Sequence, residues 1–169
     1  DYLENGQPWL KMPGEAKEEP ARDEPKQSRL SQWSRALRLK RSTIYLDFIE
    51  SGAEAYLKIT HNVQAAGGGY EREKLFFDRR ELAEFLAAIR LLDGKLRSGE
   101  AVPPGLMVRS LSGDVTFGVS TEGGAPLLAM TQRKEYGEGK LRVQTVRLLA
   151  AELPMLVKGV EEALVEWKE

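Results

Sequence analysis

Between residues 42 and 61 apolar and polar side chains alternate with a period of two. Ile44, Leu46 and Phe48 fall on one side, and Tyr45, Asp47 and Ile49 on the other; Leu57 and Ile59 then alternate with Tyr56, Lys58 and Thr60. One apolar face at this period marks half-buried antiparallel strands, and Ser51-Gly52 marks the hairpin between them. The pattern predicts strands over 33–40, 42–50, 54–61 and 72–77, with a glycine-rich loop over 63–70. From Asp78 the period becomes helical. Leu82, Phe85, Leu86, Ile89, Leu92 and Leu96 form a stripe over a predicted helix 79–98. Asp78 followed by Glu81 is a capping signal for its start.

After Val102-Pro103-Pro104-Gly105 the pattern returns. Strands are predicted over 106–111, 114–120, 126–133 and 139–145, with turns at Ser112-Gly113, Glu122-Gly123-Gly124 and Gly137-Glu138-Gly139. A helix is predicted over 146–167, with Leu149, Leu153, Leu156, Val160, Leu164 and Trp167 on its stripe. Pro154 inside it removes a backbone donor and is expected to kink or break it. The chain therefore reads as an α+β protein of two ββββα repeats, 29–100 and 101–169, packed as an intramolecular pseudo-dimer with one shared core. Residues 1–28 hold Pro8, Pro13, Pro20 and Pro25 among many Glu and Lys, the composition of a flexible tail. Its apolar stretch around Trp9 offers a docking segment for a protein partner or for the chain's own domain.

Composition narrows the function classes. A chain of 169 residues can bury about two-thirds of its unfolded surface. The absence of cysteine excludes disulfide scaffolds, thiol nucleophiles and thiolate zinc sites, and fits a reducing compartment. No apolar run nears the roughly 20 residues of a membrane-spanning helix, and no secretory signal is recognised. The expected location is cytoplasmic or nucleoid-associated. The net charge of −1 argues against a non-specific polyanion binder. The charge is unevenly placed, however: residues 29–41 carry Arg29, Arg35, Arg38, Lys40 and Arg41 and no acidic side chain.

Ile44-Tyr45-Leu46-Asp47, then Tyr56-Leu57-Lys58-Ile59, a glycine-rich loop, Lys74-Leu75-Phe76-Phe77 and an amphipathic helix resemble a Pur repeat. The likeness covers residues 33–98; the second repeat follows in element order and spacing. The resemblance implies ββββα units paired into an intertwined module, related in architecture to the Whirly proteins, that binds single-stranded DNA or RNA. The chain departs from that pattern at Glu50-Ser51-Gly52-Ala53-Glu54, an acidic turn where the family has a basic one.

The residues themselves support the same function. If the helix covers the apolar face of the first sheet, the other face shows Arg38, Lys40, Tyr45, Asp47, Tyr56, Lys58, Thr60, Lys74 and Phe76. Aromatic rings stack on bases and cations track phosphates. The second repeat is expected to add charge through Arg109, Arg133, Lys140 and Arg142, beside Thr116 and Gln144, with Gly118 leaving its backbone open. Packing alone also accounts for strand Tyr and Phe, so a protein-interaction module on the same fold is the alternative function. Gly67-Gly68-Gly69 lacks the Lys-Ser/Thr and helix start of a phosphate loop and reads as a hairpin connection. His61 is a surface or packing residue. Glu81, Glu84 and Glu100, and Glu161, Glu162, Glu166 and Glu169, read as solvated faces. No nucleophile has a base partner, so neither enzymatic activity nor a metal or cofactor is expected. A homodimer is compatible with the pattern, and DNA and RNA are not distinguished.

Overall fold

The computed structural model describes residues 29–167; the tail 1–28, including Trp9, and Glu169 lie outside them. β1 (Ser34–Arg38), β2 (Ser42–Ser51), β3 (Glu54–Gln64) and β4 (Tyr70–Phe77) form one antiparallel sheet in that order, followed by α1 (Arg79–Ser98). β5 (Met107–Val108), β6 (Asp114–Glu122), β7 (Ala125–Tyr136) and β8 (Lys140–Leu149) form a second sheet in the same order, followed by α2 (Leu153–Glu166). The ββββα pattern thus occurs twice. No described helix is long and apolar enough to cross a membrane.

Local chemistry sets the boundaries. Asp78 and Glu81 form a reciprocal capping box at the start of α1, and Gly99 closes it in the left-handed conformation. The second repeat corrects two expectations. β8 runs on to Leu149, a 3-10 turn fills Ala150–Glu152, and α2 begins only at Leu153. Pro154 therefore sits in the first turn of the helix, where its missing N–H would have had no partner, and it starts the helix instead of kinking it. The strand expected over 106–111 shrinks to Met107–Val108.

Both repeats feed one contiguous core, which includes Ile44, Leu57, Ile59 and Phe77 of the first and Val115, Leu128, Met130 and Val146 of the second. The helices reach across. Phe85 of α1 stacks on Phe77, 4.5 Å away, and lies 6.2 Å from Phe117 of β6. α2 lies on β1 and β2: a Cβ on Gly159 would come within 2.8 Å of a Leu46 methyl, so glycine lets the helix pack this closely without displacing that side chain. Trp167 meets Phe48 edge-on at 4.9 Å, and Phe48 meets Trp33 at 5.4 Å. Of the carboxylates read as a solvated row on the last helix, Glu161, Glu162 and Glu166 instead face the first repeat. Glu161 pairs with Arg90 at 2.6 Å, Glu162 with Arg35 at 3.2 Å, and Glu166 with Arg29. Such exposed pairs contribute at most about 1 kcal/mol each, so apolar burial holds the repeats together and the pairs orient them.

Candidate functional site

The repeats match at a separation of 71 positions, and their side chains make matching bonds. Glu81 accepts from the Asp78 N–H at 2.9 Å through Oε1, and from the Leu111 N–H at 2.7 Å through Oε2. Glu152 accepts from the Leu149 N–H at 3.0 Å and from the Lys40 N–H at 3.1 Å in the same way. Each carboxylate caps its own helix entry and clasps a loop of the other repeat. Glu81 is accordingly buried, not part of a solvated acidic face.

A second matched set joins the sheet edges. Gln144 accepts from the Lys74 N–H at 2.8 Å, and Glu73 accepts from the Thr145 N–H at 2.7 Å. The outer edges of β4 and β8 thus each take side-chain bonds from the opposite repeat, which covers part of an edge that would otherwise invite aggregation. Gln132, buried, accepts from the Phe76 N–H at 3.1 Å and donates to the Phe76 and Gly113 carbonyls at 3.1 and 3.0 Å. Gly113 has φ of 124°, and a Cβ there would fall 2.6 Å from the Arg133 carbonyl oxygen, so the close approach requires glycine. The position matching Gln132 is His61. It is buried, its Nε2 lies 2.9 Å from the Ser42 hydroxyl, and burial lowers its pKa against the opposing pull of Glu152 and Glu73. It is therefore a packing histidine at a sheet junction.

Because each edge strand abuts the other sheet, the described residues form a pair of matching clefts. The first, about 610 Å³, is lined by Lys74 and Phe76 of β4 and by Gln132, Lys134, Tyr136, Arg142 and Gln144 of β7 and β8. The second, about 750 Å³, has Thr145 and Arg147 on one wall and His61, Val63, Glu71 and Glu73 on the other, with Lys40, Arg41, Glu122 and Glu152 at its ends. Among the described residues, the first holds three cations, two aromatic rings and no carboxylate. The second mixes cations with four carboxylates.

The candidate residues distribute over this frame as follows. Strand register places Tyr45, Thr60 and Lys74 in one row across the open face of the first sheet, where Thr60 is buried by its neighbours contrary to expectation, and Asp47, Lys58 and Phe76 in the next. Tyr45 is exposed and Lys58, Lys74 and Phe76 are half-buried. Tyr56 stands one row further on. It donates a hydrogen bond to Glu54, and this bond raises the phenol's pKa. Arg38 is exposed at the opposite end, in register with Thr43. Lys40 does not join this face: it lies beyond β1 and lines the second cleft. Arg133 stays on the open face of the second sheet, in register with Asp114, and Arg109 lies 3.9 Å from the same carboxylate.

Lys140, Arg142 and Gln144 are displaced from the expected face. They share the phase of Val146 and Leu148, which are buried; Arg142 and Gln144 line the first cleft, whereas Lys140, exposed at the start of β8, does not. Arg142 there lies over the Phe76 ring, 5.8 Å from its centroid. Lys134 and Tyr136 were not anticipated as site residues. Alternation from Leu128 and Met130 through Gln132 places them on this side, and only the sheet junction brings them to Phe76. Lys134 spends one donor on the Leu111 carbonyl, at 2.7 Å, whereas neither Lys74 nor Arg142 pairs with a carboxylate among the described residues. Among those residues no group of three or more His, Asp or Glu is placed to hold a metal ion. No protein-family model matches the chain, and no curated protein matches it.

Proposed function

We propose that the chain binds single-stranded DNA or RNA along the open face of its first sheet and into the first cleft, with the two repeats acting as an intramolecular pseudo-dimer. The observation that carries this reading is the continuity of Tyr45, Lys58, Lys74 and Phe76 on that face with Arg142, Lys134 and Tyr136 across the cleft. Rings on this path offer stacking surfaces, worth about 1–3 kcal/mol per base, and the cations meet phosphates. Flexible single strands can present bases and phosphates to one narrow track; a duplex keeps its bases paired inside.

A protein-interaction module is the second reading. Asp47 in the middle of the same face, and Glu54 held on Tyr56, favour it, because both carboxylates oppose a polyanion. Fluorescence anisotropy with labelled single-stranded DNA, single-stranded RNA and duplex DNA at two salt concentrations separates the two. The nucleic-acid reading expects single strands to bind over duplex with steep salt dependence. Absence of single-strand binding at low salt would transfer the face to a protein partner.

A further inference from the structure

We infer that the chain has one phosphate-holding cleft and not two: the first cleft takes a phosphodiester, and Glu71 and Glu73 close the matching second cleft to anions. The inference deepens the nucleic-acid reading and rests on it for the identity of the natural ligand.

The two clefts are the same corner of the fold built twice, so differences at matched positions isolate what each wall contributes. Arg142 in the first is matched by Glu71 in the second, and Gln144 by Glu73. Gln144 and Glu73 perform the same structural task, accepting a backbone N–H from the facing edge strand at 2.8 and 2.7 Å. A neutral amide oxygen suffices for that bond, so the charge of Glu73 is not required by the architecture. Glu71 is exposed and makes no hydrogen bond or ion pair among the described residues. Two carboxylates thus stand in the second cleft where the first carries a guanidinium and an amide. A phosphate entering the first cleft meets Lys74 and Arg142 with no carboxylate among the described lining residues; in the second, Lys40, Arg41 and Arg147 are offset by Glu71, Glu73, Glu122 and Glu152.

The test uses the full chain, with a short oligothymidylate and, separately, inorganic pyrophosphate as probes, followed by backbone amide NMR and by titration for stoichiometry. One oligonucleotide per chain is expected, with shifts at residues 76, 134 and 142 and none at 40, 61 and 63. Arg142→Glu should weaken binding on the order of tenfold to a hundredfold, the loss of a charge-assisted bond. The double variant Glu71→Arg, Glu73→Gln should create a second site per chain. Its amide spectrum checks that the fold persists, as the Gln144 bond predicts. Two oligonucleotides per wild-type chain, or probe-induced shifts in the second cleft, overturn the inference. If pyrophosphate perturbs the first cleft alone and no oligonucleotide binds, the one-sided anion site stands and the nucleic-acid reading falls. If neither probe perturbs the first cleft, both fall.

Discussion

The two clefts share a backbone and differ in chemistry. Around the first, Gln132 and Gln144 hold the edge of β4 with neutral amides, and the surrounding charge is positive. Around the second, His61 and Glu73 occupy the matched positions, and carboxylates interleave with the cations. The bonds that lock repeat to repeat recur in both, at Glu81 and Glu152 and at Gln144 and Glu73. The lesson is that the junction's hydrogen bonds fix its geometry, whereas the residues that merely line it are free to diverge. Electrostatic character is thus separable from fold.

The largest expected effect tests whether the repeats are one folding unit. Phe85 and Leu156 occupy matched positions and are both buried in the shared core. Phe85→Ala should cost about 3–5 kcal/mol and Leu156→Ala about 2–5 kcal/mol. In urea each variant should unfold in a single transition, coincident by far-ultraviolet circular dichroism and tryptophan fluorescence. Two separated transitions would show that the repeats fold independently.

Next comes the junction itself. Gln132→Leu strands the Phe76 N–H and two carbonyls, and a buried polar group without its partner costs about 1–3 kcal/mol. His61→Leu at the matched position removes only the contact with the Ser42 hydroxyl. Gln132→Leu should therefore lower the urea midpoint more than His61→Leu, and the reverse order would deny the glutamine its structural role.

Binding gives a comparable free-energy effect confined to one side. Phe76→Ala should weaken single-strand affinity by about 1–3 kcal/mol, one stacked base. Arg147→Ala, its match in the second cleft, should leave affinity unchanged in the same anisotropy titration. Equal losses from both would mean that the clefts act alike.

The smallest effect is a pH dependence found on one side only. Burial depresses the His61 pKa below its ordinary 6.5, while Glu152 and Glu73, which face it, pull it back up. Near and below pH 6.5 the unfolded chain binds a proton that the folded chain resists. Stability from this site is therefore complete above that pH and declines as pH falls through the folded-state pKa. His61→Gln, which copies Gln132, should flatten that part of the stability-against-pH curve measured by urea titration; an unchanged curve would place the titrating group elsewhere.

Much of the fold was legible in the chain because alternation and helical periodicity are local properties of sequence. Ile44, Leu46 and Phe48 define the buried side of β2 whatever they pack against, and Asp78 with Glu81 marks the start of α1. The same locality misled at Pro154, where the leucine stripe continues unbroken from the end of β8 into α2 and hides the boundary. Tyr45, Lys58, Lys74 and Phe76 were readable as one face because register within a hairpin sheet follows its turns. The partners of Phe76 were not. Arg142 reaches it, and Lys134 joins the same cleft, because the edge of β4 docks against the second sheet through Gln132 and Gln144, a contact between residues more than fifty positions apart. Local periodicity was enough for the two ββββα units and for the aromatic, basic character of one sheet face. Which charges meet across the clefts follows from long-range packing, because packing and not local period sets which sheet edge faces which.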